Sequence, residues 1–340
     1  MPPIGILVSE AVAHSDGESL LATCAQAGLP AELIVNRVGE PLPPAVLERI
    51  AFALLSVDVI GLSSKSVHGP ELASFVETLR SAPNLRWLQV PSAGMDRPFY
   101  AELRDRGARL TSAAGANAKA VAQSALAGLL ALARGVPLWL DAQRAHRWQP
   151  LRGPLMPAQL DGQHAVVIGM GPIGQHIGRV LDALELRVTG VRRTPAPAPG
   201  FDRVVGFDDH ADAVAQADWI VLACPLTDRT RHLVDARLLA RLRPTARIVN
   251  VARGEIIDEP ALVAALRNGA LGGAYLDVFA DEPLAASSPL WDLPNVLISA
   301  HSAGNSTGHQ RGVIDLFKNN LQRIAAGRPL INEWPAEPST

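Results

Sequence analysis

The sequence predicts an α/β protein built from two doubly wound parallel-sheet domains. Three observations predict it. At 340 residues the chain is long for one core, and chains beyond about 250–300 residues divide into domains. Its first third alternates short apolar runs with helix-like runs, the pattern of parallel crossover units with helices on both sheet faces. A second and longer alternation begins at "HAVVIGMG".

Taken in order, "IGILVSE" reads as a strand, Glu18 to Ala27 as a helix ending at Gly28, and "AELIVN" as a second strand. Ala45 to Leu55 reads as a helix, "VDVIGLS" as a third strand, Glu71 to Arg80 as a helix and "LRWLQV" as a fourth strand. "ARLTSA" and a long apolar segment, Ala118 to Leu140, follow. The second alternation runs through "LRVTGV", "RVVGF", "DWIVLACP", "ARIVNVA", "GGAYLDVF" and "NVLISA". Between these lie helical segments at Ile173–Leu184, Ala211–Ala217, Ala236–Leu242 and Glu259–Asn268, and Arg311–Ala326 reads as a closing helix. No period of 20 to 50 residues recurs, which excludes a repeat array.

Composition removes several function classes. A net charge of −2 gives no global bias toward nucleic acid or an anionic membrane. The two cysteines, Cys24 and Cys224, are far apart and form neither a disulfide framework nor a metal-ligand spacing, which fits a reducing compartment. "MPPIGILVSE" lacks a basic region followed by a long apolar stretch, so no signal peptide is expected. The apolar stretch Ala120 to Leu140 contains Arg134 and Pro137, costly in a bilayer, and reads as one buried helix. The expectation is a soluble cytoplasmic protein with no metal and with neither nucleic acid nor membrane as partner.

Gly169, Gly171 and Gly174 form G-x-G-x-x-G directly after the strand "AVVI" and before the helix that takes in Ile173. The first glycine makes a tight turn and the second lets a pyrophosphate approach the backbone. The third lets helix and strand pack closely, while N–H groups at the helix start face the phosphates. This is the setting of a Rossmann-like dinucleotide site. At the end of the next strand a carboxylate would accept bonds from the adenosine ribose. Here Arg192, Arg193 and Thr194 stand instead. Guanidinium groups would hold a ribose 2′-phosphate through charge-assisted bonds, so NADP(H) is favoured. NAD(H) stays possible if the two arginines are plain surface residues.

Arg253 in "VNVARGEIID" and His301 in "ISAHSAG" each follow an apolar strand run, and Glu282 in "LDVFADEPL" follows one by a few residues. Ligands of open α/β sheets bind at the carboxyl ends of strands, so these three side chains can converge on one crevice. Together "VVIGMGPIG", "CPLT", "VNVARGEIIDEPAL", "YLDVFADEPL" and "AHSAG" resemble the D-isomer-specific 2-hydroxyacid dehydrogenases, from about Ser92 to Leu330.

The resemblance implies two Rossmann-like domains. Residues 1–116 with 305–340 would bind substrate, and residues 117–304 would be an inserted NADP-binding domain. It implies that Arg253 grips the substrate carboxylate and that His301 is the general acid. Glu282 would orient the imidazole and favour its protonated form. Ala93 and Gly94 in "PSAGMD" would meet the substrate carboxylate through their backbone. Pro172 and Ile173 would contact cofactor, as would Val251 and Ala252 beside Arg253. Cys224, Pro225 and Thr230 would line its ribose and nicotinamide side. Asp277 would receive the carboxamide nitrogen, with a structural cap as the competing role.

One departure is visible: the family commonly has proline before the catalytic histidine, and Ala300 stands here. Lys65, Met95, Trp139 and Trp291 are candidates for shaping the pocket. The expected activity is NADPH-dependent reduction of a glyoxylate- or hydroxypyruvate-like 2-oxo acid to a D-2-hydroxy acid. Domain closure would shield the reaction, and the resemblance implies a homodimer supported by segments such as Ala118 to Leu140. Two alternatives stay open: an NAD-dependent dehydrogenase of another small acid, such as formate or phosphite, or a nucleotide-sensing corepressor-like protein.

Overall fold

The computed structural model describes residues 3–61, 63, 68–95 and 97–334; Lys65 lies outside them. The chain forms two compact units, Met1–Asn117 with Ser306–Thr340, and the contiguous insertion Ala118–Asn305.

The first unit carries five parallel strands: β1 (Ile4–Ser9), β2 (Ala31–Asn36), β3 (Ile50–Leu54), β4 (Trp87–Gln89) and β5 (Arg109–Thr111). Their spatial order is β2-β1-β3-β4-β5. The first helix spans Glu10–Gln26 and begins well before the expected Glu18. "HSDG" reads locally as a breaker, but Ser9 caps the helix by accepting from Val12 N at 3.1 Å, and Val12, Leu20 and Cys24 bury its inner face.

The third strand is also corrected. Ala45–Leu55 is not a helix: a short helix, Pro44–Leu47, is followed by β3, and "VDVIGLS" supplies the short helix Val57–Ile60 instead of a strand. All five β3 residues are buried. A strand covered on both faces loses polar alternation and looks like a buried helix in sequence.

The closing helix, His309–Ala325, belongs to this unit. Phe317 stacks on Trp87 with ring centroids 4.6 Å apart, and Gln89 Nε2 donates to Val313 O at 2.8 Å inside the core. Both rings are essentially inaccessible to solvent, and truncating either to Ala should cost about 3–5 kcal/mol.

The second unit holds seven parallel strands: β6 (His164–Ile168), β7 (Arg187–Arg192), β8 (Arg203–Gly206), β9 (Trp219–Leu222), β10 (Arg247–Asn250), β11 (Gly273–Leu276) and β12 (Val296–Ile298). The order β12-β11-β10-β9-β6-β7-β8 reverses direction between β6 and β9. Such a switch point opens a crevice at the carboxyl edge of the sheet.

The long apolar segment is not one helix. Helix Ala118–Arg134 stops at Gly135, whose φ of 72° no continuing helix can hold, and Val136–Arg144 departs at 70°. No single described helix is long and apolar enough to cross a membrane.

Candidate functional site

The three motif glycines occupy three different environments. Gly169 sits at φ 101°, and a Cβ there would stand 2.5 Å from Cys224 N, so only glycine makes this turn. At Gly174 a Cβ would stand 1.9 Å from Gly169 O, the close helix–strand approach expected of the third position. At Gly171 a Cβ would meet nothing within 4 Å. The protein's own packing does not demand glycine there, which leaves that face open to a ligand. Gly171 is also the N-cap of helix Pro172–Ala183 and offers no side chain to its first-turn N–H groups. Pro172 stands at the first turn, followed by Ile173. These features fit a dinucleotide phosphate, since the N–H groups and helix dipole favour an anion.

Arg192 ends β7, and Arg193 and Thr194 follow it, exposed. Val191 O accepts from Gly169 N at 3.0 Å, so the arginines leave the sheet beside the glycine turn. Neither guanidinium has a carboxylate partner among the described residues, whereas Arg241 and Arg243 of the same unit are ion-paired.

Past β9, Cys224 is buried and desolvation pushes its thiol up to about 11, which removes it as a nucleophile. The buried Thr230 hydroxyl donates to Pro225 O at 2.8 Å and accepts from Thr227 N at 2.7 Å. Its contribution is to shape the loop that presents Cys224 and Pro225.

Arg253, Glu282 and His301 follow β10, β11 and β12, three adjacent strands. Register sets Asn250, Leu276 and Ile298 side by side, and Arg253 and His301 each lie three residues beyond that line. Two strand spacings, about 10 Å, separate their strand ends. His301 Nδ1 and Glu282 Oε2 are 2.7 Å apart. A carboxylate only accepts, so Nδ1 carries the proton and Nε2 is the ring atom left to react. Nε2 has no hydrogen-bond partner among the described residues. Glu282 is itself held by Phe279 N, which donates to Oε1 at 3.1 Å. His301 has φ 48°, a left-handed backbone that costs about 1–2 kcal/mol outside glycine.

The Arg253 loop is fixed from beneath. Fully buried Asn250 donates to Arg253 O at 3.0 Å and accepts from Ala252 N at 3.0 Å; Val251 and Ala252 are buried. Arg253 Nη1 donates to Ala252 O at 2.7 Å. A Cβ on Gly254 would stand 1.8 Å from Phe279 C, so the arginine loop is pressed against the segment leading to Glu282. Asn250 was not a sequence candidate. Its signal is a polar residue closing the apolar run "RIVN".

Asp277 is buried, and its Oδ1 accepts from Ser299 Oγ at 2.6 Å, Ser302 N at 2.9 Å and Ala303 N at 3.0 Å. The structural cap weighed for it is therefore present. Ser299 and its partner Tyr275 also escaped the sequence reading.

In the first unit, Ala93 and Gly94 follow β4 at the carboxyl edge of their own sheet, where Ser92 Oγ donates to Gly94 O at 2.7 Å. Met95 packs on that unit's core. Trp139 and Trp291 are half-exposed. No group of three His, Cys, Asp or Glu side chains among the described residues is placed to hold a metal ion.

Comparison with known proteins identifies the family. Residues 126–303 match the family model described as D-isomer specific 2-hydroxyacid dehydrogenase, NAD binding domain. A glyoxylate reductase of Thermococcus gammatolerans is 33% identical over 72% of this chain and 75% of its own length. An (S)-sulfolactate dehydrogenase of Chromohalobacter salexigens is 34% identical over 74% of this chain and 81% of its own. A D-isomer specific 2-hydroxyacid dehydrogenase of Xanthobacter autotrophicus, solved with NADPH and MES, is 28% identical, covers 98% of each chain and superposes with a TM-score of 0.75. The chain thus belongs to the D-isomer-specific 2-hydroxyacid dehydrogenases, an oxidoreductase family with a nicotinamide-dinucleotide domain.

Proposed function

We propose that this protein reduces a small 2-oxo acid of the glyoxylate or hydroxypyruvate kind to a D-2-hydroxy acid, with NADPH preferred over NADH. The observation that carries the reading is the 2.7 Å His301–Glu282 pair on strands adjacent to the Arg253 loop. Arg253 presents a planar fork to the substrate carboxylate and draws electron density from the neighbouring carbonyl. His301 gives the Nε2 proton to the carbonyl oxygen and keeps its other proton on Nδ1, donated to Glu282, so the ring ends neutral in a defined tautomer. In the reverse direction the same nitrogen takes the hydroxyl proton. The reduced nicotinamide, when bound, supplies the hydride to the carbonyl carbon. The open face at Gly171 supports pyrophosphate binding by the turn Gly169–Gly174, and Arg192 and Arg193, which have no carboxylate partner among the described residues, support a 2′-phosphate together with Thr194. Ala93 and Gly94 are the backbone candidates for the carboxylate contributed by the first unit. The homodimer is part of the same reading and is checked by sedimentation.

The deciding experiment is turnover of glyoxylate and hydroxypyruvate with each cofactor, in wild type and in Arg192→Asp. Loss of one charge-assisted contact, about 1.5–3 kcal/mol, should weaken NADPH roughly 10- to 100-fold and leave NADH nearly unchanged. Equal losses for both cofactors would remove the phosphate role. Tight NADPH binding without turnover of any 2-oxo acid would refute the enzymatic reading.

A further inference from the structure

A line of hydrogen bonds behind His301 reaches no proposed ligand contact except through Asp277 and His301. Tyr275 Oη and Ser299 Oγ are 2.8 Å apart, and Ser299 Oγ donates to Asp277 Oδ1 at 2.6 Å. A serine hydroxyl has one proton, and the carboxylate takes it, so Tyr275 must be the donor in the first contact. Burial pushes the Tyr275 phenol up; the contact with Ser299 opposes this in part, and the Asp277 charge adds a smaller upward push. The phenol therefore keeps its proton and the line runs in one direction. Asp277 Oδ1 also holds Ser302 N and Ala303 N, while Ser299 N donates to Leu276 O at 3.0 Å and His301 N to Asp277 O at 2.7 Å.

Residues 299, 301, 302 and 303 are thus all tied to 276–277. His301 sits among them at φ 48°, and its neighbour Ala300 brings no ring to restrict the backbone. Tyr275 is seated by the helix above it: a Cβ at Gly128 would stand 2.3 Å from the Tyr275 ring.

We propose that Ser299 and Tyr275 are positioning residues, which lock the strained His301 turn so that Nδ1 faces Glu282 and Nε2 faces the substrate. The assignment rests on the proton-donor role proposed for His301. Without the Ser299 hydroxyl, Oδ1 loses its side-chain donor and Tyr275 its acceptor, and the turn gains freedom on the side where Ala300 gives none of its own restraint.

The test is steady-state kinetics of Ser299→Ala, Ser299→Thr and Tyr275→Phe with hydroxypyruvate, alongside NADPH binding followed by fluorescence. Displacements near 1 Å cost up to about 100-fold in rate, so Ser299→Ala should lower kcat about 10- to 100-fold, with KM and NADPH affinity within about 3-fold. Tyr275→Phe should lower kcat by a smaller factor, about 3- to 10-fold, and Ser299→Thr should return it to within about 3-fold of wild type. A role confined to folding would reduce the yield of active protein and leave kcat per active site intact. Wild-type kcat in Ser299→Ala, or a loss confined to NADPH affinity, would overturn the assignment. So would a Thr variant as slow as Ala. Should the Ala variant fail to fold, Tyr275→Phe, which removes a single oxygen, decides the matter by the same criterion. Full turnover in His301→Ala would instead remove the proton-donor role itself, whereas an inactive His301→Ala beside an unimpaired Ser299→Ala removes only the positioning role.

Discussion

Alanine at Gly171 and alanine at Gly174 are the same chemical change three residues apart, and the structure assigns them opposite consequences. At Gly174 the added methyl would stand 1.9 Å from Gly169 O, a backbone atom that cannot rotate away. Overpacking costs about 1–3 kcal/mol, and a rigid carbonyl neighbour argues for the upper end. A domain of this size loses about 2–4 °C per kcal/mol, so Gly174→Ala should lower the Tm of the second unit by about 6–12 °C. At Gly171 the methyl meets nothing within 4 Å, and φ of −72° suits alanine. The cost is the poorer N-cap, about 1 kcal/mol or less, and a Tm change within about 4 °C. The open volume is the one proposed for the pyrophosphate, so NADPH should bind at least about 10-fold more weakly, or 1.4 kcal/mol. Differential scanning fluorimetry and fluorescence titration read the two quantities separately. Wild-type NADPH affinity in a well-folded Gly171→Ala would refute the placement of the phosphates.

Two further outcomes are expected. Glu282→Gln removes the anion 2.7 Å from His301 Nδ1, and one amide oxygen cannot serve both that nitrogen and Phe279 N. Exchanging a charged for a neutral acceptor loses about 1–2 kcal/mol, so kcat should fall roughly 10-fold with unchanged NADPH affinity; an unaffected kcat would deny Glu282 its orienting role. His164 has its pKa lowered, by burial first and then by the Arg187 charge. Its folded-state value lies below the unfolded value of about 6.5, so the unfolded chain takes up the proton first. Stability is intact above the unfolded value and is lost as pH falls through it toward the folded value. Urea midpoints at pH 8 and pH 5 should converge less for wild type than for His164→Gln, which lacks the titrating group; equal losses in the two proteins would refute the sign.

Much of the second unit was legible in the sequence because its strands announce themselves. "AVVI", "WIVL", "RIVN" and "GAYL" are short apolar runs separated by helices with turn residues at their ends, and the observed strands fall inside the expected runs except β7, which extends one residue past "LRVTGV" to Arg192. The first unit was less legible. In "RIAFALLSVDVIGLS" two apolar runs follow one another, and local chemistry does not say which is the strand. The sheet decides, because only Ile50–Leu54 lies between β1 and β4 with every side chain buried. The same limit applies to Glu10–Gln26, where burial of Val12, Leu20 and Cys24 carries the helix through a sequence that reads as a break.

The sequence by itself determined the two rounds of strand–helix alternation, the glycine turn, the paired arginines and the order of Arg253, Glu282 and His301. These depend on neighbours within a few residues and on residue type. Only the tertiary structure decided that Glu282 and His301 touch, that Asp277 clamps the histidine turn through Ser299, and that Asn250 fixes the arginine loop. Those contacts join residues on different strands, and their distances are set by sheet register, which no local stretch of chain encodes.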